Sequence, residues 1–223
     1  MLETPIWITN FKNYESAIGH SALELARIHE RVARETGVSI GIAVSAMDIF
    51  RIAKEVSIPV FAQHVDPIDY GKCTGYILPQ GVKKAGAIGT LLNHSERRLP
   101  WEDLENAVCC AQKATLKRIV CAENPEEVEK FVDLDPDFLA FEPPELIGST
   151  KASVASSKPE SIKKSVLLAG KIPLLVGAGI NSVEDVEVSL RLGAKGFLVA
   201  TAITKAVDPE QALRLFVKAM KKR

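Results

Sequence analysis

The chain has 223 residues, 47% hydrophobic and 25% charged, and its 28 basic and 28 acidic side chains balance to zero net charge. That length supports one large core, and the charge balance argues against a polyanion-binding surface, so a nucleic-acid partner is not expected. No apolar run reaches the roughly 18–20 residues of a membrane span, and Met1-Leu2-Glu3-Thr4-Pro5 lacks the basic and apolar regions of a secretion signal; a cytoplasmic protein with no membrane partner is expected.

Short apolar runs begin near Pro5, Val38, Pro59, Ala87, Arg118, Asp137, Pro173 and Gly196. They recur roughly every 27 residues, close to the minimum for a strand, a helix and two short loops. Runs such as Pro173-Leu174-Leu175-Val176 and Gly196-Phe197-Leu198-Val199 are apolar throughout, which marks strands covered on both faces of a parallel sheet. Between them the apolar period turns helical. Asn124-Pro125 should cap a helix, and so should Asp208-Pro209. Ser182 with Asp185 has the form of a capping box. Val183, Val186 and Leu190 form one stripe, and Leu213, Phe216, Val217 and Met220 another. The third connection, from Asp66 to Ala87, carries Pro67, Gly71, Gly75, Pro79 and Gly81 and reads as a long loop with a short helix.

Eight β-then-α units without a change in composition predict an α/β fold: a (βα)8 barrel of eight parallel strands with outer helices, residues 1–223 forming a single domain. An open doubly wound sheet is the rival. The cysteines, Cys73, Cys109, Cys110 and Cys121, form no C-x-x-C pair, so neither a disulfide framework nor a zinc site is expected. Cys109 and Cys110 fall in a helical pattern and are expected to pack as small hydrophobes.

Barrel chemistry sits where strands end. The first strand ends in Asn10-Phe11-Lys12, the fourth in Asn93-His94-Ser95-Glu96-Arg97 and the sixth in Phe141-Glu142-Pro143-Pro144. A cation, an imidazole and a carboxylate at one rim suit proton abstraction beside a carbonyl. Each alone has a plainer reading, as a solvated lysine, a structural histidine and a turn glutamate. Gly177-Ala178-Gly179, leading into a helix near Ser182, can bring backbone N–H groups to an anion, and Ala200-Thr201 ends the eighth strand on the same rim. His20 and His29 lie around the first helix, where packing or solvent exposure is the default. His64, beside Gln63 at the third strand end, reads as a structural or interface residue.

Asn10-Phe11-Lys12, His94-Ser95-Glu96-Arg97 and Glu142-Pro143-Pro144-Glu145-Leu146-Ile147-Gly148 resemble, in order and spacing, the triosephosphate isomerase family in its short archaeal form. The resemblance implies a TIM barrel and an aldose–ketose isomerase of glycolysis and gluconeogenesis that interconverts D-glyceraldehyde 3-phosphate and dihydroxyacetone phosphate without a metal or cofactor. It implies that Glu142 is the base, that His94 is the neutral electrophile and that Lys12 supplies positive charge. Asn10 and Phe11 join Lys12 among the substrate-binding residues, and Glu96 supports the site from behind. Ile147 and Gly148 fall on a lid, and backbone near Gly148, Gly179, Ala200 and Thr201 holds the phosphate. Ser95-Glu96-Arg97 is expected to begin a helix whose N-terminus favours neutral imidazole at His94.

Two departures from the family pattern touch the phosphate loops. Gly177-Ala178-Gly179 replaces Gly-Gly-Ser, and Ala200-Thr201 stands where glycines are common; Thr201 would be strained if its backbone needed positive φ. A homo-oligomer is implied, a tetramer first and a dimer second, with the loop around Thr74-Gly75-Tyr76 reaching a neighbouring subunit. Other phosphate-binding barrel enzymes, a non-catalytic sugar-phosphate binder and a structural protein are the alternatives.

Overall fold

A computed structural model of the chain describes residues 2–147 and 153–221. Eight strands close a parallel barrel in sequential order: β1 Ile6–Asn10, β2 Ser39–Val44, β3 Val60–Ala62, β4 Gly89–Leu92, β5 Lys117–Ala122, β6 Phe138–Phe141, β7 Leu174–Val176 and β8 Gly196–Val199. Every start lies within two residues of its expected position. The largest difference is at β4, because the Ala87 N–H still donates to the Val82 carbonyl of the preceding helix. The closed order β1-β2-…-β8 rules out the open sheet.

Both strand faces are buried, as uniformly apolar runs require. One set of alternate residues, including Ile6, Ile8, Phe61, Leu91, Ile119, Phe138, Ala140, Leu175 and Leu198, fills the barrel interior. The other set, including Trp7, Ile42, Val120, Leu139, Val176 and Phe197, packs against the outer helices. Those helices are α1 Gly19–Thr36, α2 Ile49–Glu55, α3 Pro79–Lys84, α4 Trp101–Lys113, α5 Pro125–Phe131, α6 Val154–Ser157, α7 Pro159–Ala169, α8 Val183–Arg191, α9 Thr201–Thr204 and α10 Pro209–Met220. No helix among the described residues is long and apolar enough to cross a membrane.

The helix signals have direct counterparts. Asn124 accepts the Glu127 N–H, Asp208 accepts that of Gln211, and Ser182 with Asp185 forms a reciprocal capping box. Leu213, Phe216, Val217 and Met220 are all buried, and Val186 is the buried centre of its stripe. The third connection is a loop with α3 as its helix. Asp66 pins the loop ends: its N–H donates to the Ile77 carbonyl at 2.9 Å, and its side chain accepts the Ile77 N–H at 2.6 Å.

The cysteine expectation needs correction. On α4 the buried positions are Leu104, Ala107, Val108 and Ala111, which leaves Cys109 exposed and Cys110 half-buried. The i, i+3, i+4, i+7 stripe passes between them.

Candidate active site

Alternation along the strands aims the site residues. Ile6 and Ile8 face the interior, so Asn10 shares their face and reaches the mouth. Phe138 and Ala140 do the same for Glu142. The same rule turns Phe11 outward: it is fully buried, with its ring centroid 5.5 Å from that of His29. Phe11 therefore packs between barrel and helix and does not line the mouth, contrary to its expected place among the substrate-binding residues.

After Asn10 the chain turns sharply. Lys12 has φ of 51°, a conformation that carries strain for a residue with a side chain. Two hydrogen bonds hold it: its N–H donates to Asn10 Oδ1 at 3.0 Å, and Gln63 Nε2 donates to its carbonyl at 2.8 Å. The ammonium lies 2.7 Å from Glu96 Oε1, with the lysine side chain only 9% exposed.

At the end of β4, Asn93 also takes positive φ, 59°. Its side chain donates to the Cys121 carbonyl at 3.1 Å and accepts the Leu99 N–H at 3.0 Å. That bracing sets the direction of His94, which is buried. His94 Nδ1 accepts the Glu96 N–H at 3.2 Å, and an accepting Nδ1 places the ring proton on Nε2. Nε2 faces Glu142 Oε2 at 3.6 Å. No helix starts at Ser95. Residues 95–97 form a turn closed by Arg97 N–H to the His94 carbonyl at 2.7 Å, and α4 starts at Trp101. Pro100 is the reason, since a helix from Ser95 would run into a residue without an N–H. The helix terminus expected to act on the charge of His94 is therefore absent, and the Glu96 N–H sets the tautomer.

Glu142 is buried, and its Oε2 has no hydrogen-bond partner among the described residues. Gly177 makes room for it, because a Cβ there would lie 2.5 Å from Glu142 Oε1. Cys121 sits against the same carboxylate. Burial first, then the charge of Glu142 and a hydrogen bond to it, push the Cys121 thiol well up, so it remains a protonated neighbour.

One cleft at the mouth is lined by Asn10, Lys12, His94 and Glu142, and also by Ile147, Gly179, Ala200 and Thr201. Gly148 lies outside the described residues. Left-handed backbone occurs in the seventh loop, at Ala178 and Gly179, with φ of 62° and 75°; Thr201 does not take positive φ and opens α9, so it carries no such strain. Ile180 and Asn181 line the same cleft without having been singled out, and only their place after the glycine turn could have flagged them. Glu96 stands at the edge, its other oxygen 3.8 Å from His94 Nδ1. A wider cleft continues outward past Met47, His64 and Arg97, where Asp66 takes His64 at 3.1 Å and Arg97 at 2.9 Å.

A parallel barrel whose mouth gathers a carboxylate, an imidazole and an ammonium beside a glycine turn defines a barrel enzyme for a small anionic substrate. Residues 5–221 match the family described as triosephosphate isomerase. A triosephosphate isomerase from Methanobacterium bryantii is 46% identical over 215 residues, covering 95% of each chain. One from Saccharolobus solfataricus is 44% identical, covering 97% of this chain and 96% of that one. The crystal structure of the Bartonella henselae triosephosphate isomerase is 23% identical and superposes with a TM-score of 0.70, over 96% of this chain and 99% of that one; it supports the fold. The chain belongs to the triosephosphate isomerase family.

Proposed function

We propose that this mouth interconverts D-glyceraldehyde 3-phosphate and dihydroxyacetone phosphate by proton transfer through an enediolate. The observation that carries the reading is Glu142 Oε2, buried, unpartnered among the described residues and 3.6 Å from His94 Nε2. Glu142 removes the proton from the carbon beside the substrate carbonyl. His94, with its proton on Nε2, hydrogen-bonds the carbonyl oxygen and then the enediolate oxygen. Glu142 returns the proton to the neighbouring carbon, and the hydroxyl proton passes from one substrate oxygen to the other by way of His94 Nε2, which gives up its proton to the first and regains one from the second; together these complete the aldose–ketose exchange. Lys12 places positive charge beside the developing oxyanion and the phosphate, and Asn10 positions the substrate. Glu96 holds Lys12 and supplies the N–H that fixes the His94 tautomer. Backbone at Gly179, Ala200 and Thr201 receives the phosphate, with Ile147 covering the mouth to exclude water.

Residues 1–223 are proposed as one domain of a cytoplasmic enzyme of glycolysis and gluconeogenesis, working as a homo-oligomer, tetramer before dimer. Met47, which lines the outer cleft, is 89% exposed, and Tyr70 and Tyr76 in the third connection are 62% and 60% exposed; these apolar side chains are ones a second copy of the chain would cover.

The function is tested by a coupled assay with glyceraldehyde 3-phosphate, following dihydroxyacetone phosphate. Turnover that 2-phosphoglycolate inhibits competitively is expected. Binding of 2-phosphoglycolate without turnover would leave a phosphate-binding barrel with different chemistry, and loss of both would overturn the reading.

A further inference from the structure

Asp185 is the third residue of α8 and is 8% exposed. A helix cap asks one thing of a carboxylate in this position, to accept the N–H of the residue before the helix. Asp185 does this through Oδ2, which accepts the Ser182 N–H at 2.9 Å. The same oxygen also accepts the Asn181 N–H at 3.0 Å. Oδ1 takes a short hydrogen bond from the hydroxyl of Ser153, 32 residues earlier in the chain. These last two bonds exceed what capping requires.

Their effect is to tie two segments together. Ser153 caps α6, its hydroxyl accepting the Ser156 N–H at 2.9 Å, and the next residue, Val154, donates its N–H to the Ala178 carbonyl at 3.2 Å. The turn from Ala178 to Ser182 is therefore held at both ends: Val154 grips its first carbonyl and Asp185 grips its last two amides. Within that turn Ala178 and Gly179 both have left-handed backbone, and at Ala178 the side chain makes that geometry strained. Ala178, Gly179 and Asn181 line the catalytic cleft. A strained turn persists only where its surroundings over-determine it, and here those surroundings converge on one buried carboxylate.

We propose that Asp185 is a positioning residue for the phosphate end of the substrate, holding the 178–182 turn against α6 in the shape that accepts a phosphate. The inference rests on the reading of this cleft given above. Asp185 does not line the catalytic cleft, so its effect should follow the phosphate group and spare the proton transfer.

The test uses the full chain with Asp185→Ala, Asp185→Asn and Ser153→Ala. Three quantities are measured: KM for glyceraldehyde 3-phosphate, the inhibition constant of inorganic phosphate, and deuterium uptake from D2O by D-glyceraldehyde, which lacks the phosphate. Asp185→Ala is expected to raise the first two by at least ~10-fold while the third stays within ~3-fold. Asp185→Asn keeps an oxygen for both amides and should recover most of the loss. Ser153→Ala should shift phosphate binding in the same direction by less, and its effect should be smaller in the Asp185→Ala background than alone, since the two variants share the Ser153–Asp185 bond while only Ser153→Ala also removes the α6 cap. Unchanged phosphate binding in Asp185→Ala, or equal losses with both substrates, would overturn the proposal and leave Asp185 a helix cap. Should Asp185→Ala fail to fold, Ser153→Ala decides by the same comparison. A wild-type chain that neither turns over glyceraldehyde 3-phosphate nor binds phosphate would instead overturn the reading of the cleft.

Discussion

Gly177→Ala adds one methyl group at the back of the site. Gly177 does not have positive φ, so alanine meets no backbone obstacle there. The obstacle is Glu142: the new Cβ would lie 2.5 Å from Oε1, 2.6 Å from Cγ and 2.8 Å from Cδ. Carbon contacts are comfortable from about 3.5 Å, so the carboxylate must retreat by about 1 Å. Displacements of that size cost on the order of 10²-fold in rate, or roughly 2.7 kcal/mol in the barrier. Lys12, His94 and the backbone of the 178–182 turn keep their places. The account therefore predicts a kcat about 10²-fold lower with KM within ~3-fold of wild type, read from the coupled assay, and a protein that still unfolds cooperatively. A kcat within ~3-fold of wild type would mean that the position of Glu142 does not govern the reaction. A rise in KM alone would move the role of Gly177 to the phosphate.

Lys12→Ala should raise KM and lower kcat together, each by at least ~10-fold, because substrate and enediolate are both anionic; an unchanged KM would contradict a phosphate role. His29 is buried, with Nδ1 on the Leu25 carbonyl and Nε2 on Thr9 Oγ1, and burial lowers its pKa to about 4. The unfolded chain binds a proton below about pH 6.5 that the folded chain refuses until about pH 4, so stability falls as pH drops through that window. The loss from this residue is about 3 kcal/mol by pH 4; an NMR titration in which His29 protonates near pH 6.5 would refute it. Sedimentation at micromolar concentration should show a species larger than the 24.2 kDa chain, and a single monomer boundary would refute the oligomer.

The elements were legible because each depends on neighbours in sequence. Two-sided burial writes strands as continuous apolar runs, and Asn124, Asp208 and Ser182 cap helices through bonds that span three residues. The inward aim of Asn10 and Glu142 also follows from alternation, which equally turns Phe11 outward and should have removed it from the substrate-binding set. What sequence could not provide were distances across the fold. Gly177 reads as part of a phosphate turn until its closeness to Glu142 is measured. The positive φ of Ala178 belongs to a turn held by Val154 and Asp185, far apart in the chain. The turn after His94 is legible in Pro100, six residues on, whose missing N–H opposes a helix running from Ser95.

The most direct test of the central claim, that Glu142 is the base, is the kcat of Glu142→Gln. Glutamine keeps the size of the side chain and removes its basicity, so the account predicts a kcat lower by at least ~10²–10⁴-fold in a folded protein that still binds 2-phosphoglycolate. Turnover near the wild-type rate would show that another group takes the proton.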